Sequence, residues 1–273
     1  MGRRIGAVIS AGAVVVMLTS VAGCGSGDAG SGASAGATSS TSSSSSAGVT
    51  GKITVLAAAS LTESFSTIGK DFEAANPGST VTFSFGSSAT LATQVNQGAP
   101  ADVFASADER TMKMVTDKGN AAQTPVIFVT NTLEIAVPKG NPGKITGLSD
   151  FADSSAKTAL CAKEVPCGAA AQKVFTAAKI TAKPVSYEAD VKAALQKVET
   201  DEVDAALVYK TDVASAGDKV QGIDFPESSH AVNKYPITTL KSSKQVETAD
   251  AFVDYVSKGP GQQVLKKAGF GAP

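Results

Sequence analysis

From residue 50 onward the chain repeats one pattern: a short apolar or alternating run rich in β-forming residues, then a stretch with apolar side chains at helical spacing. Ile53 to Ala57 is a continuous apolar run suited to a strand buried on both faces, and residues 61–75 follow with Leu61, Phe65, Ile68 and Phe72 three to four positions apart. Asn76-Pro77-Gly78 stops that helix, Val81, Phe83 and Phe85 alternate as the next strand, and a second helix at about 89–97 carries Leu91 and Val95. Asp102 to Ser106 reads as a third strand, and Met112 with Val115 marks a third helix. Val126 to Val137 is a long β-rich stretch that contains the polar pair Thr130-Asn131. Past Asn141-Pro142-Gly143 the alternation restarts, with strands near 158–161, 183–187 and 203–209 and helices at about 168–179 and 190–199. Residues 235–240 are strand-like again, and two helical stretches with Val246, Phe252, Val253 and Val256, then Val264, Leu265 and Ala268, complete the pattern. This alternation predicts an α/β protein with mostly parallel sheets covered by helices on both faces, and roughly 220 ordered residues suit two domains better than one. Ligands of such sheets sit beyond the strand C-termini.

The first 48 residues obey different rules. Arg3 and Arg4 precede a run of apolar and small residues, and Val21-Ala22-Gly23-Cys24 closes it. This reads as an export signal over residues 1–23 whose small residues before a cysteine resemble the bacterial lipobox, with Cys24 as the lipid-bearing first mature residue. The alternatives are an ordinary signal peptide with a chance cysteine and an uncleaved membrane anchor, for which the run is borderline in length. Residues 25–48 hold ten Ser, six Gly, five Ala, two Thr and one Asp. Such a tract cannot bury enough apolar surface to order itself, so 24–48 reads as a lipidated tether with a reach of roughly 25–30 Å. Its G-x-G-x-x-G at Gly25 to Gly30 and G-x-S-x-G at Gly32 to Gly36 lie between no strand and helix, and both are accidents of composition.

Charge and composition exclude several functions. Lys+Arg 24 against Asp+Glu 25 gives no basic surface for nucleic acid. Loss of Arg3 and Arg4 with the signal lowers the cations to 22 and leaves Arg110 as the only arginine. One His, three Cys and no Trp leave too few soft ligands for a zinc site. Ser60 or Ser88 as an enzymatic nucleophile would need a general base, and His230, which reads as a surface or capping residue, is the only imidazole. The chain is therefore expected not to be an enzyme and to need no cofactor. Cys161 and Cys167, six positions apart in an exported chain, point to a short-loop disulfide, the alternative being two small buried thiols.

Several helices open on donor groups. Ser60-Leu61-Thr62-Glu63 reads as a capping box after the first strand, Gly86-Ser87-Ser88 precedes the second helix, Pro166-Cys167-Gly168 opens one in the second half, and Asp190-Val191 opens another. Each alone is ordinary capping. Together they suggest an anion site, because N–H groups and hydroxyls at helix N-termini hold oxyanions without a formal cation.

Three strings then carry a family resemblance: Thr54 to Thr62 (TVLAAASLT), Phe83 to Ala92 (FSFGSSATLA) and Gln97 to Phe104 (QGAPADVF). Val165-Pro166-Cys167-Gly168, Glu188 to Leu195, Ala206-Leu207-Val208-Tyr209 with Thr211-Asp212, and Phe225 to His230 follow in the same order. Over about residues 51–270 the chain resembles the molybdate-binding proteins of bacterial ABC importers. The resemblance implies a two-domain venus-flytrap fold of the periplasmic-binding-protein type with molybdate or tungstate in the interdomain cleft. Domain I would comprise 49–131 plus 231–273, and domain II 132–230. The matching ligand positions are Ser60 and Ser88, each offering hydroxyl and backbone N–H, Cys167 and Val191, offering backbone N–H, and Tyr209, offering its phenol. They would hold the oxyanion through its oxygens, with no direct bond to the metal. Cys167 departs from the family, which more often has Ala there; only a main-chain donor is needed, and a bridge to Cys161 would stiffen the loop. Tyr209 could instead be a core aromatic with a wet hydroxyl, and Lys192 beside Val191 reads as a solvated helix-face lysine.

The implied function is a monomeric lipoprotein, held at the outer face of the cell membrane through Cys24, that captures molybdate or tungstate and delivers it to an ABC transporter permease. A receptor for another tetrahedral oxyanion such as sulfate is the alternative. A non-transport surface lipoprotein would bind no small anion.

Overall fold

The apolar run read at 53–57 forms β1 (Gly51–Ala58), whose side chains are buried from Val55 onward. The computed structural model describes residues 48–273; the export signal, Cys24 and the tether up to residue 47 lie outside the described residues. After β1 come α1 (Thr62–Ala75), β2 (Ser79–Gly86), α2 (Ser88–Asn96), β3 (Val103–Ala105), α3 (Glu109–Thr116), β4 (Val126–Asn131) and β5 (Leu133–Pro138). Then follow β6 (Thr158–Cys161), α4 (Pro166–Ala178), β7 (Ser186–Glu188), α5 (Val191–Glu199), β8 (Ala205–Tyr209), α6 (Lys210–Ala216), β9 (Val220–Ile223), β10 (Asn233–Thr239), α7 (Val246–Ser257) and α8 (Gly261–Lys267).

The strands form two five-stranded sheets, ordered β2-β1-β3-β10-β4 and β7-β6-β8-β5-β9. Parallel pairing joins β1 to β2 and β3 in one and β6 to β7 and β8 in the other. Each sheet also carries two antiparallel pairings, made by β10 in the first and β5 in the second, so both are mixed. The single β-rich stretch read at 126–137 is divided between the sheets: β4 ends at Asn131, Thr132 alone intervenes, and β5 starts at Leu133 in the other sheet. The chain crosses back through Val232 into β10.

Side chains of β1 alternate between two apolar layers of the first lobe. Ile53, Val55 and Ala57 face α1, α7 and α8, where Phe65, Phe72 and Phe252 meet with ring centroids 5.3–6.1 Å apart, while Leu56 joins Leu91, Met112 and Val115 on the other side. The second lobe has its own core, with Phe151 against Phe175 and α4 and α5 over the sheet. Two elements had no clear pattern in the sequence. The seven-residue α6 buries only Thr211 and Asp212, and β9 is four residues with a glycine inside. The strand expected at 183–187 shortens to β7, because Pro184 has no N–H for the ladder.

Candidate oxyanion site between the two lobes

The two sheets point their parallel strand ends at one another across a cavity of about 20 Å³. That is smaller than the roughly 300–1,000 Å³ of sites that take drug-sized molecules. The first lobe lines it with Ala58, Ala59 and Ser60 from the end of β1 onward, Gly86 to Ser88 from the end of β2 onward, and Ala107 after β3. The second lobe contributes Val165 to Cys167 at the start of α4, Asp190 and Val191 at the start of α5, and Tyr209 at the end of β8. Ser60, Ser88, Cys167, Val191 and Tyr209 thus meet in one place, each at most 5% exposed.

Local structure explains why these groups are free to donate. Ser88 and Val191 are the first residues of α2 and α5, and Cys167 is the second of α4, so their N–H groups precede the first intrahelical bonds. Pro166 at the first position of α4 suits a start where no N–H is required. Gly168 lets that turn press onto the preceding loop, since a methyl there would collide with the Ala162 carbonyl oxygen. The Cys161–Cys167 disulfide joins the end of β6 to the first turn of α4, with the Cα atoms 5.7 Å apart.

The capping box read at Ser60 does not form. Ser60 lies in a 3-10 turn over Ala59–Leu61, and α1 begins one residue later with Leu61 as its uncapped first boundary. Its hydroxyl is 2.9 Å from the Tyr235 hydroxyl instead, because the turn aims it at β10. Asp190 does cap its helix: Oδ1 accepts the Ala193 N–H at 3.0 Å. Ser88 Oγ accepts the Ala107 N–H at 3.0 Å, and the Asn233 Nδ2 amide donates to Tyr209 Oη at 3.1 Å. Ser87, also in the lining, has a buried hydroxyl with no partner. Burial pushes the phenols of Tyr209 and Tyr235 well above their usual range, so both remain O–H donors.

The lining contains no cationic side chain. Lys192 is not the solvated residue its helix position suggested: Nζ reaches Glu63 of the first lobe at 2.9 Å, donates to Ser215 Oγ at 2.9 Å, and lies 3.3 Å from Asp212 Oδ1 without the alignment of a hydrogen bond. Asp212 is fully buried, and desolvation, opposed by the Lys192 charge, raises its carboxyl to about 6. Arg110 makes a further polar bridge between the lobes, donating from Nη2 to the Glu164 carbonyl at 2.7 Å. His230 is exposed at the end of a 3-10 turn. Among the described residues no group of three or more His, Cys, Asp or Glu side chains could hold a metal ion. The sequence reading missed Tyr235, Asn131 and Asn233; of these only Asn131 left a signal, as a polar residue within an apolar run.

Two α/β lobes that close over a small cavity of N–H and O–H donors have the architecture of a protein that captures a solute. The chain belongs to the bacterial extracellular solute-binding proteins, whose family model matches residues 53–271. Its resemblance to molybdate-binding proteins is borne out: it is 43% identical over 221 residues to the molybdate-binding protein ModA of Mycobacterium tuberculosis, covering 81% of this chain and 85% of the relative. The periplasmic molybdate-binding protein of Azotobacter vinelandii superposes with a TM-score of 0.67 at 22% identity, covering 81% of this chain and 99% of that one. The sulfate-binding protein SubI of M. tuberculosis superposes at 0.68 and 20% identity, covering 80% and 86%. At those identities the two structures establish the periplasmic-binding-protein fold and leave the solute to the cavity.

Proposed function

We propose that this protein captures molybdate, and tungstate alike, outside the cell membrane and presents it to the permease of an ABC importer. The convergence of Ser60, Ser88, Cys167, Val191 and Tyr209 on a cation-free cavity carries the reading, supported by the 43% identity to a molybdate-binding protein. A buried dianion is costly unless its oxygens are satisfied, and charge-assisted hydrogen bonds with the partial positive charge of helix starts meet that need. Ser60 and Ser88 would each give hydroxyl and N–H, Cys167 and Val191 the N–H, and Tyr209 its phenol. Molybdate, tungstate and sulfate are acceptors only at neutral pH, whereas phosphate carries a proton that needs an acceptor. Sulfate is smaller, so its rejection rests on cavity size.

Both lobes donate, so the anion favours the closed form by its differential affinity, and a permease can read that closure. In this reading residues 49–131 with 231–273 move as one body and 132–230 as the other, and a lipid on Cys24 holds the monomer at the membrane. Calorimetric and thermal-shift titration with molybdate, tungstate, sulfate and phosphate at equal ionic strength tests it, since a ligand of the folded form raises the Tm. Stabilisation by the two metalates is expected; preferential stabilisation by sulfate would convert the protein to a sulfate receptor, and a flat response to all four would withdraw the assignment.

A further inference from the structure

A hydroxyl can donate or accept, so a cavity lined by hydroxyls does not by itself select an acceptor-only anion. Here three of them have a lone pair occupied from behind. Ser88 Oγ takes the Ala107 N–H at 3.0 Å. Tyr209 Oη takes an N–H of Asn233 Nδ2 at 3.1 Å, and the same Nδ2 donates to the Ala107 carbonyl at 2.8 Å, which fixes the amide's orientation: its oxygen in that place would face another oxygen. Ser60 Oγ and Tyr235 Oη share one hydrogen bond of 2.9 Å, in which geometry alone leaves the donor open. Asn131 decides it. Its Oδ1 accepts the Thr132 N–H at 3.0 Å, and its Nδ2 donates to Thr211 Oγ1 at 2.8 Å and approaches Tyr235 Oη at 3.5 Å. The Tyr235 oxygen is thereby supplied with a proton from behind, so the phenol, also the stronger donor of the two, points its own proton at Ser60. The Ser60 proton is then free to be given to the cavity.

Asn131 and Asn233 sit directly opposite one another in the β4–β10 ladder, on the two strands where the chain passes between lobes. We infer that these asparagines, through Tyr235 and Tyr209, are positioning residues that fix the hydroxyl protons of Ser60 and Tyr209 toward the anion and thereby exclude oxyanions that carry a proton. The inference rests on the oxyanion reading of the cavity. A hydrogenarsenate or hydrogenphosphate dianion matches molybdate in charge but brings an X–OH donor. It meets hydroxyls whose protons already point at it, and the one carboxylate of the lining, Asp190, is turned to its own helix, where Oδ1 accepts the Ala193 N–H. A buried donor left without an acceptor is the kind of mismatch that discriminates steeply between close analogues. Ser87 is the lining hydroxyl not held in this way.

The test is the ratio of molybdate to arsenate affinity at about pH 8, where both are dianions, measured calorimetrically for wild type, Tyr235→Phe, Asn233→Ala and Ser87→Ala. Tyr235→Phe frees the Ser60 hydroxyl to turn and accept, and Asn233→Ala does the same for Tyr209, so each is expected to narrow the ratio by at least about tenfold. Ser87→Ala is expected to keep or widen it. Should one of the first two variants fail to fold, the other carries the same expectation for a separate hydroxyl. Equal weakening of both anions in the folded variants, with the ratio unchanged, would overturn the positioning role while leaving the molybdate reading intact. Wild type that binds no molybdate would remove both.

Discussion

Each donor to a buried charged ligand carries an expected loss that can be measured separately. Ser88→Ala and Tyr209→Phe should each weaken molybdate binding by about 1–3 kcal/mol in calorimetric titration, the usual effect of deleting a hydrogen bond to a charged group. Unchanged affinity in both would remove these side chains from the site. Asp212 gives a pH prediction with a definite sign. Burial raises its carboxyl from 3.8 to about 6, so the folded protein binds its proton more readily than the unfolded chain. Above about pH 6 the buried carboxylate is a fixed burden on stability, and as the pH falls toward 4 that burden is relieved. Wild type should therefore gain about 1 kcal/mol on Asp212→Asn between pH 7 and pH 5 in thermal unfolding. A constant difference across that range would show that Asp212 titrates normally. At this scale the sequence revealed which residues could donate but not what stands behind them. Ser60 carried every mark of a helix cap, and only the tertiary approach of Tyr235 diverts its hydroxyl. The Asn131–Tyr235 and Asn233–Tyr209 contacts span 104 and 24 positions, distances at which no local pattern operates.

Among the elements, the starts of α2, α4 and α5 were legible because caps, prolines and glycines are local signals. The break in the stretch from Val126 to Val137 was not, since β4 and β5 are both apolar and only their pairing partners distinguish them. The mixed sheets were hidden for the same reason: strand direction is set by neighbours, and antiparallel β5 and β10 look no different from the rest. The disulfide between β6 and α4 closes a short loop that presents the Cys167 N–H to the cavity. A Cys161→Ala/Cys167→Ala double variant should lose about 2 kcal/mol of stability, the loop-entropy expectation for so few residues, and should also bind molybdate more weakly. A lower melting temperature with undiminished affinity would make the bridge a stability element alone.

Across the molecule, two polar bridges flank the cavity and join the lobes without touching it: Lys192 to Glu63, and Arg110 to the Glu164 carbonyl. Glu63 and Arg110 are half exposed, so each bridge should contribute less than about 1 kcal/mol. Because both span the lobes, an Arg110→Ala/Glu63→Gln double variant should release radiolabelled molybdate about two- to fivefold faster while its melting temperature stays close to wild type. Release at the wild-type rate would show that these two bridges do not hold the lobes closed. The chain's order through the fold also governs how it is made. The second sheet is drawn from one uninterrupted stretch, Leu133 to Ile223, whereas the first cannot be completed until β10 is inserted between β3 and β4. A chain emerging from an export channel N-terminus first can therefore assemble its middle before its beginning. The strands that emerge earliest must wait, with the edges of β3 and β4 unpaired, for residues 233–239 to appear, and it is in that interval that a chaperone outside the membrane would find something to hold.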